Sequence, residues 1–176
     1  MLVILGYMYG VRSDYSTNDQ KREQVIGLLQ RVSQASVVVD GGNVAKIDLG
    51  LLVMIGIEKG DGVKQAARLL DRLLMYRVFS DKEGHMNFNV QDAGGSMILV
   101  PQFTLVADTS QGNRPGFSRA APPEISGTLF AHLISLGKMS TVPIFSGSFG
   151  KTMQVSLCNE GPVTFWLRVK PDGHLV

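Results

Sequence analysis

The run Leu51-Leu52-Val53-Met54-Ile55-Gly56-Ile57 contains no polar side chain. A segment of strand length with no polar face reads as a strand buried on both faces, so other layers must cover each of them. The rest of the chain supplies those layers. Residues 27–39 are rich in Val and Leu and read as a long strand; Asp40-Gly41-Gly42-Asn43 signals a hairpin that returns through residues 44–47. Asp61 stands where it can cap a helix on which Val63, Ala66, Ala67, Leu70, Leu73, Leu74 and Arg77 recur at spacings of three and four. Residues 76–80, 86–90 and 96–105 read as strands, the first two joined by a turn at 81–84. Pro122-Pro123 opens a second helix with Ile125, Leu129, Leu133 and Leu136 on its inner face and Gly137 near its end. Residues 153–158 and 163–170 are two closing strands. Strands in runs with two segregated helices predict an α+β fold with a curved, mostly antiparallel sheet or barrel, and the pattern lacks the regular alternation of a doubly wound sheet.

A chain of 176 residues with 44% apolar and 18% charged residues builds one globular core without staples. The formal net charge of +2 permits an anionic partner without demanding one. Cys158 is the only cysteine, so no intrachain disulfide forms, and a reducing, cytoplasmic setting is expected. Its apolar strand context predicts a buried, inert thiol. Residues 1–24 read as an extra leader, either disordered or an artefact of a start that lies at Val25; residues 25–170 as a single domain; residues 171–176 as a polar tail. The apolar stretch 1–11 is too short for the roughly 20 residues of a membrane span, so no membrane association is expected.

The chemistry begins with what the sequence withholds. His85, His132 and His174 stand at no metal or triad spacing, and no glycine loop of the phosphate-binding type is present, so neither metal nor cofactor is expected. A site without acid, base or metal must use backbone dipoles or borrow a group from its substrate. Within residues 97–105, Pro101 cannot donate to a ladder and bends or ends its strand, which would leave the amides of Gln102 and Phe103 to face a ligand. An edge strand with a proline kink is the plainer account. Thr104 has no evident base and suits a positioning hydrogen bond better than nucleophilic attack. The long connection 107–121 sets Arg114 and Arg119 on either side of Phe117, a grouping that suits phosphate contact with base stacking, or else a solvated loop. Asn159-Glu160-Gly161-Pro162-Val163-Thr164 reads locally as a hairpin turn holding a Gly-Pro bond, among the few that are cis at modest cost.

Taken in order, Leu29-Gln30-Arg31-Val32, Tyr76-Arg77-Val78-Phe79-Ser80-Asp81, Met86-Asn87, Gln102-Phe103-Thr104-Leu105, Ala107-Asp108-Thr109, Arg114-Pro115, Ala121-Pro122-Pro123 and residues 159–167 closely resemble the D-aminoacyl-tRNA deacylase family over about 26–169. The resemblance implies a cytoplasmic homodimer that hydrolyses the ester of D-aminoacyl-tRNA, and of glycine mischarged on the alanine tRNA, as chiral proofreading. It implies that Gln102, Phe103 and Thr104 hold the ester and ribose, with the neighbouring 2′-hydroxyl of the RNA assisting. Gly161 and Pro162, cis and flanked by Asn159 and Thr164, would enter the partner subunit's pocket and exclude an L side chain by a backbone clash. Arg114, Phe117 and Arg119 would meet tRNA; no DNA partner is expected. The family motif usually has serine where this chain has Pro101. A related animal tRNA deacylase also carries proline there and tolerates an L-amino acid, so relaxed chirality stands as an alternative. A nucleic-acid-binding protein without catalysis on the same scaffold is another.

Overall fold

The computed structural model describes residues 24–170; the expected leader, apart from Gln24, and the 171–176 tail lie outside the described residues. Strand β1 (Val25–Val39) is the spine of a six-stranded sheet in which β2 (Gly42–Ile47), β3 (Gly50–Gly56) and β8 (Gln154–Val169) all pair with it antiparallel. Beyond β3 come β6 (Ser96–Pro101) and β7 (Ile144–Ser146), both parallel to their neighbours. Parallel pairing needs a long crossover. Helix α1 (Val63–Met75) lies in the first crossover and α2 (Pro123–Gly137) in the second, and the short pair β4 (Phe79–Ser80) and β5 (Met86–Phe88) forms a separate ribbon. The fold is α+β with a curved, mostly antiparallel sheet and two principal helices, as the pattern predicts.

The apolar run at 51–57 is covered on both faces, as its composition requires. Leu51 and Val53 face one cluster with Leu69, Leu73, Leu129, Phe130 and Leu133 from the helices; Leu52 faces a second with Val32, Val37, Ile47, Ile98 and Val100. Each such fully buried side chain contributes about 1.5–3 kcal/mol. The hairpin signal is realised as a tight turn in which Asp40 (φ 50°) and Gly41 (φ 78°) are both left-handed, the geometry that matches strand twist.

Several details differ from the pattern. Asp61 does not cap α1; Gly62 holds that position, while the Asp61 carboxylate accepts the Glu58 N–H at 2.7 Å and closes the preceding loop. The buried face of α1 is Gln65, Ala66, Leu69, Leu70 and Leu73, with Val63 exposed and Arg77 past the helix end. On α2, Phe130 is buried and Ile125 exposed. The strand expected through 105 stops at Pro101, whose missing N–H ends the ladder, and Phe103–Val106 winds into a 3₁₀ turn. Strands expected over 76–80 and 86–90 shrink to β4 and β5. Cys158 is exposed, because β8 covers the core with only alternate side chains.

The largest difference is at the Gly-Pro motif. No hairpin forms there. Residues on both sides of it pair with the same strand, β1, and β8 runs through as one element. Gln30 faces Thr164 while Val32 faces Asn159, so two steps of β1 lie against five of β8. The surplus residues leave the ladder as a bulge.

Candidate active site

Pro101 sits opposite Ile55 at the end of β6, and Gln102 next to it donates its N–H to the Ile55 carbonyl at 2.7 Å. That bond corrects one expectation: the Gln102 amide is committed to the fold. Phe103 opens the 3₁₀ turn, where the first N–H groups have no acceptor within the turn. The Gln102 side-chain amide donates to Thr104 Oγ1, locking the two polar side chains to each other. Phe103 is 60% exposed, unusual for so large an apolar side chain, and its ring lies 5.1 Å from that of Phe117 at 53°.

These residues edge a cavity of about 730 Å³. Pro101, Gln102, Phe103 and Phe117 line it, together with Phe149, Lys151 and Met153 from the segment before β8. Ser126 and Phe130 of α2 and Ile55 of β3 also belong to its wall. No histidine, cysteine, aspartate or glutamate lines it, and among the described residues no three such side chains cluster to hold a metal.

The loop 107–121 is more ordered than a solvated connection. Asp108 and Gly116 exchange both backbone hydrogen bonds at 2.8 Å, and Ala120 bridges to Glu58. The Ser110 hydroxyl and N–H beside Asp108 hold its carboxyl below the usual range. Arg119 is not free for a phosphate: its Nη2 donates to Glu58 Oε1 at 2.5 Å. Burial pushes the Glu58 carboxyl up, against the opposing pull of Arg119 and Arg168. Arg114 lies outside the cavity, in a surface hollow with Asp108 and Ser118. Of the three residues expected to meet RNA, the structure brings only Phe117 to the cavity.

The bulge on β8 is built by Asn159 and Arg31. Asn159 Oδ1 accepts the Val163 N–H at 2.7 Å, and its Nδ2 donates to Thr164 Oγ1 at 3.0 Å, closing the bulge at its base. Arg31 Nε donates to the Glu160 carbonyl and Nη1 to the Val78 carbonyl. Gly161 and Pro162 at the tip are exposed, and the bond between them is cis. Neither lines the cavity of its own chain. The braces at Arg31 and Glu58, and the two lysines of the cavity, Lys59 and Lys151, were not assigned roles by sequence reasoning. Only Arg31 stood within a landmark; a lone Lys or Glu carries no signal without its partners.

A family model described as D-Tyr-tRNA(Tyr) deacylase matches residues 28–168, nearly the whole described fold. The chain belongs to that family. It is an enzyme of the deacylase class, and the sequence resemblance holds. A D-aminoacyl-tRNA deacylase of Thioalkalivibrio sulfidiphilus is 53% identical over 84% of this chain and 99% of its own length. One of Nitrosococcus oceani is 52% identical over 84% of this chain and 95% of its own. Among solved structures, a c-Myc DNA unwinding element binding protein superposes with a TM-score of 0.75 at 35% identity, covering 81% of this chain and 97% of its own. A probable eukaryotic D-amino acid tRNA deacylase shares the fold, with a TM-score of 0.72 at 15% identity over 83% of this chain and 100% of its own. Among the described residues no helix is long and apolar enough to cross a membrane.

Proposed function

We propose that this deacylase hydrolyses the ester joining a D-amino acid, or glycine mischarged on the alanine tRNA, to the terminal adenosine of tRNA, as a cytoplasmic homodimer. One observation carries the reading: a cavity of about 730 Å³, within the usual range for small-molecule sites, is bordered by Pro101, Gln102 and Phe103 yet lined by no carboxylate, imidazole or thiol. Ester hydrolysis there draws on backbone donors and on the substrate. Water attacks the carbonyl carbon, the bond to the ribose oxygen breaks, and that oxygen leaves with a proton. The adjacent 2′-hydroxyl is the nearest group able to relay it. The Phe103 N–H, at the open start of its turn, faces the developing oxyanion. Thr104, held by the Gln102 amide, positions the ribose and does not attack.

Chirality is read by exclusion. The tip of the β8 bulge, Gly161-Pro162, enters the cavity of the partner subunit and leaves no room for an L side chain. Arg31 and Asn159 make that wall stiff, which rejection by clash requires. Incubating the purified protein with D-tyrosyl-tRNA and L-tyrosyl-tRNA tests this: rapid ester loss from the D form alone supports it, and inertness toward both rejects it.

A second reading, relaxed chirality, is favoured by Pro101 itself, which lines the cavity where the family usually carries serine. Comparable rates on the two tyrosyl esters would select it. Family membership favours turnover over nucleic-acid binding without catalysis.

A further inference from the structure

Lys59 and Lys151 are the only charged residues that line the cavity, which is otherwise walled mostly by aromatic and aliphatic groups, with Gln102, Ser126 and Thr152 as uncharged polar side chains. They stand on different segments: Lys59 follows β3 and Lys151 precedes β8. Both are exposed. The cavity therefore carries as much positive charge as the formal net charge of +2 on the entire chain, beside an apolar floor. Neighbouring carboxylates do little to cancel it. Glu58, next to Lys59 in the chain, is engaged by Arg119. Asp40 approaches Lys151 only at 3.8 Å, between side chains 81% and 61% exposed, a pairing of the kind that water and salt leave weak. The backbone of Lys59 is anchored, since its N–H donates to the Arg119 carbonyl at 2.9 Å. Of the two guanidiniums expected to meet phosphate, Arg119 is thus occupied in holding the loop and Arg114 lies outside the cavity, so the cations that line the cavity are these lysines.

We infer that Lys59 and Lys151 form an anion subsite that grips the 5′-phosphate of the nucleotide whose sugar and base enter the cavity. The inference deepens the proposed function and rests on it for the identity of the nucleotide. The phosphate stays at the rim, where the flexible ammonium groups reach it as point charges, while the nucleoside meets Phe117 and Phe149.

The test compares binding of adenosine 5′-monophosphate and adenosine by calorimetry at low salt. Wild type should bind the monophosphate at least about tenfold tighter, and the advantage should shrink as salt rises. The K59A/K151A variant should lose that advantage while binding adenosine within about twofold of wild type. K59R/K151R should keep it, which guards against a fold effect, and K138A, at the far end of α2, should behave as wild type. An equal affinity of wild type for both probes, or an undiminished preference in K59A/K151A, overturns the inference. Inertness toward D-tyrosyl-tRNA with the phosphate preference intact would instead reject the deacylase reading and leave the subsite standing.

Discussion

Arg31 donates its Nε–H to the carbonyl of Glu160 at 3.0 Å, tying the middle of β1 to the bulge that β8 throws out beside it. The same guanidinium donates to the Val78 carbonyl at 2.5 Å, so one side chain fixes the bulge against the segment entering β4. Arg31→Ala should destabilise the protein by about 1.5–3 kcal/mol, the range for hydrogen bonds from a charged donor. Arg31→Lys should not restore it, because an ammonium on a flexible stem lacks the fork that reaches two carbonyls. Denaturant titration of both variants checks this. If the bulge excludes the L side chain as proposed, the rate ratio of D- to L-tyrosyl-tRNA should fall with the stability.

Gly161 is the position in that bulge least able to accept a side chain. Its φ of 129° is a conformation L residues rarely adopt, and a Cβ there would lie 2.8 Å from Val163 Cγ2 and 3.0 Å from Arg31 Nη2. Gly161→Ala should therefore lower stability by about 1–3 kcal/mol and displace the Arg31 brace. A melting temperature equal to wild type would mean that the bulge relaxes freely, and discrimination would then be expected to survive as well.

Glu58 gives the protein a pH dependence of defined sign. Burial raises its carboxyl pKa above the ordinary value of 4.5, so the folded state holds the proton more tightly than the unfolded chain does. Its contribution to stability is complete below about pH 4.5 and is lost as pH rises through the raised folded value. The stability of wild type relative to Glu58→Gln should thus decline from pH 4 upward and level off above the folded pKa. A difference that grows with pH across that window would show that the Arg119 attraction outweighs burial.

Because among the described residues no cluster of His, Cys, Asp or Glu is able to hold a metal, hydrolysis of D-tyrosyl-tRNA should survive exhaustive chelation. Activity lost in chelator and restored by zinc or magnesium would overturn this.

What the sequence disclosed and what it hid follow from the range of the interactions involved. The central strand at 51–57 was legible because burial on both faces is written into seven adjacent residues, and the Asp40-Gly41 turn because its left-handed pair needs no distant partner. Pro101 ending its strand is likewise a local consequence of a missing N–H. The bulge was misread as a hairpin because a turn signal does not say which strand pairs with the residues on either side, and only the length of β1 makes both sides share it. Arg119 was given to RNA because its partner Glu58 lies 61 positions away. Thr104 and Gln102 were legible as polar residues after a strand end, whereas the Gln102 N–H was not, since its acceptor Ile55 belongs to a neighbouring strand.

Within one chain the two halves of the proposed site are apart, and this leads to the last prediction. The bulge leaves β8 between the partners of Gln30 and Val32, whereas Pro101 lies level with Ile55, whose own β1 partner is Gly27. Between β8 and β6 stand β1 and β3, so the path along the sheet is three strand spacings, on the order of 14 Å, plus several residues along the strands. The exposed bulge tip does not line the cavity of its own chain, so in the proposed homodimer it would complete the site of the other copy, with two-fold symmetry giving two equivalent sites. A Gln102→Ala/Thr104→Ala variant and a Gly161→Ala variant should each be impaired as homodimers. Mixed and isolated as a heterodimer carrying two different tags, they should recover about half the wild-type activity, because one site unites an intact Gln102-Thr104 edge with an intact bulge while the other carries both defects. A verified heterodimer no more active than the better of its parents would show that each chain builds its site alone.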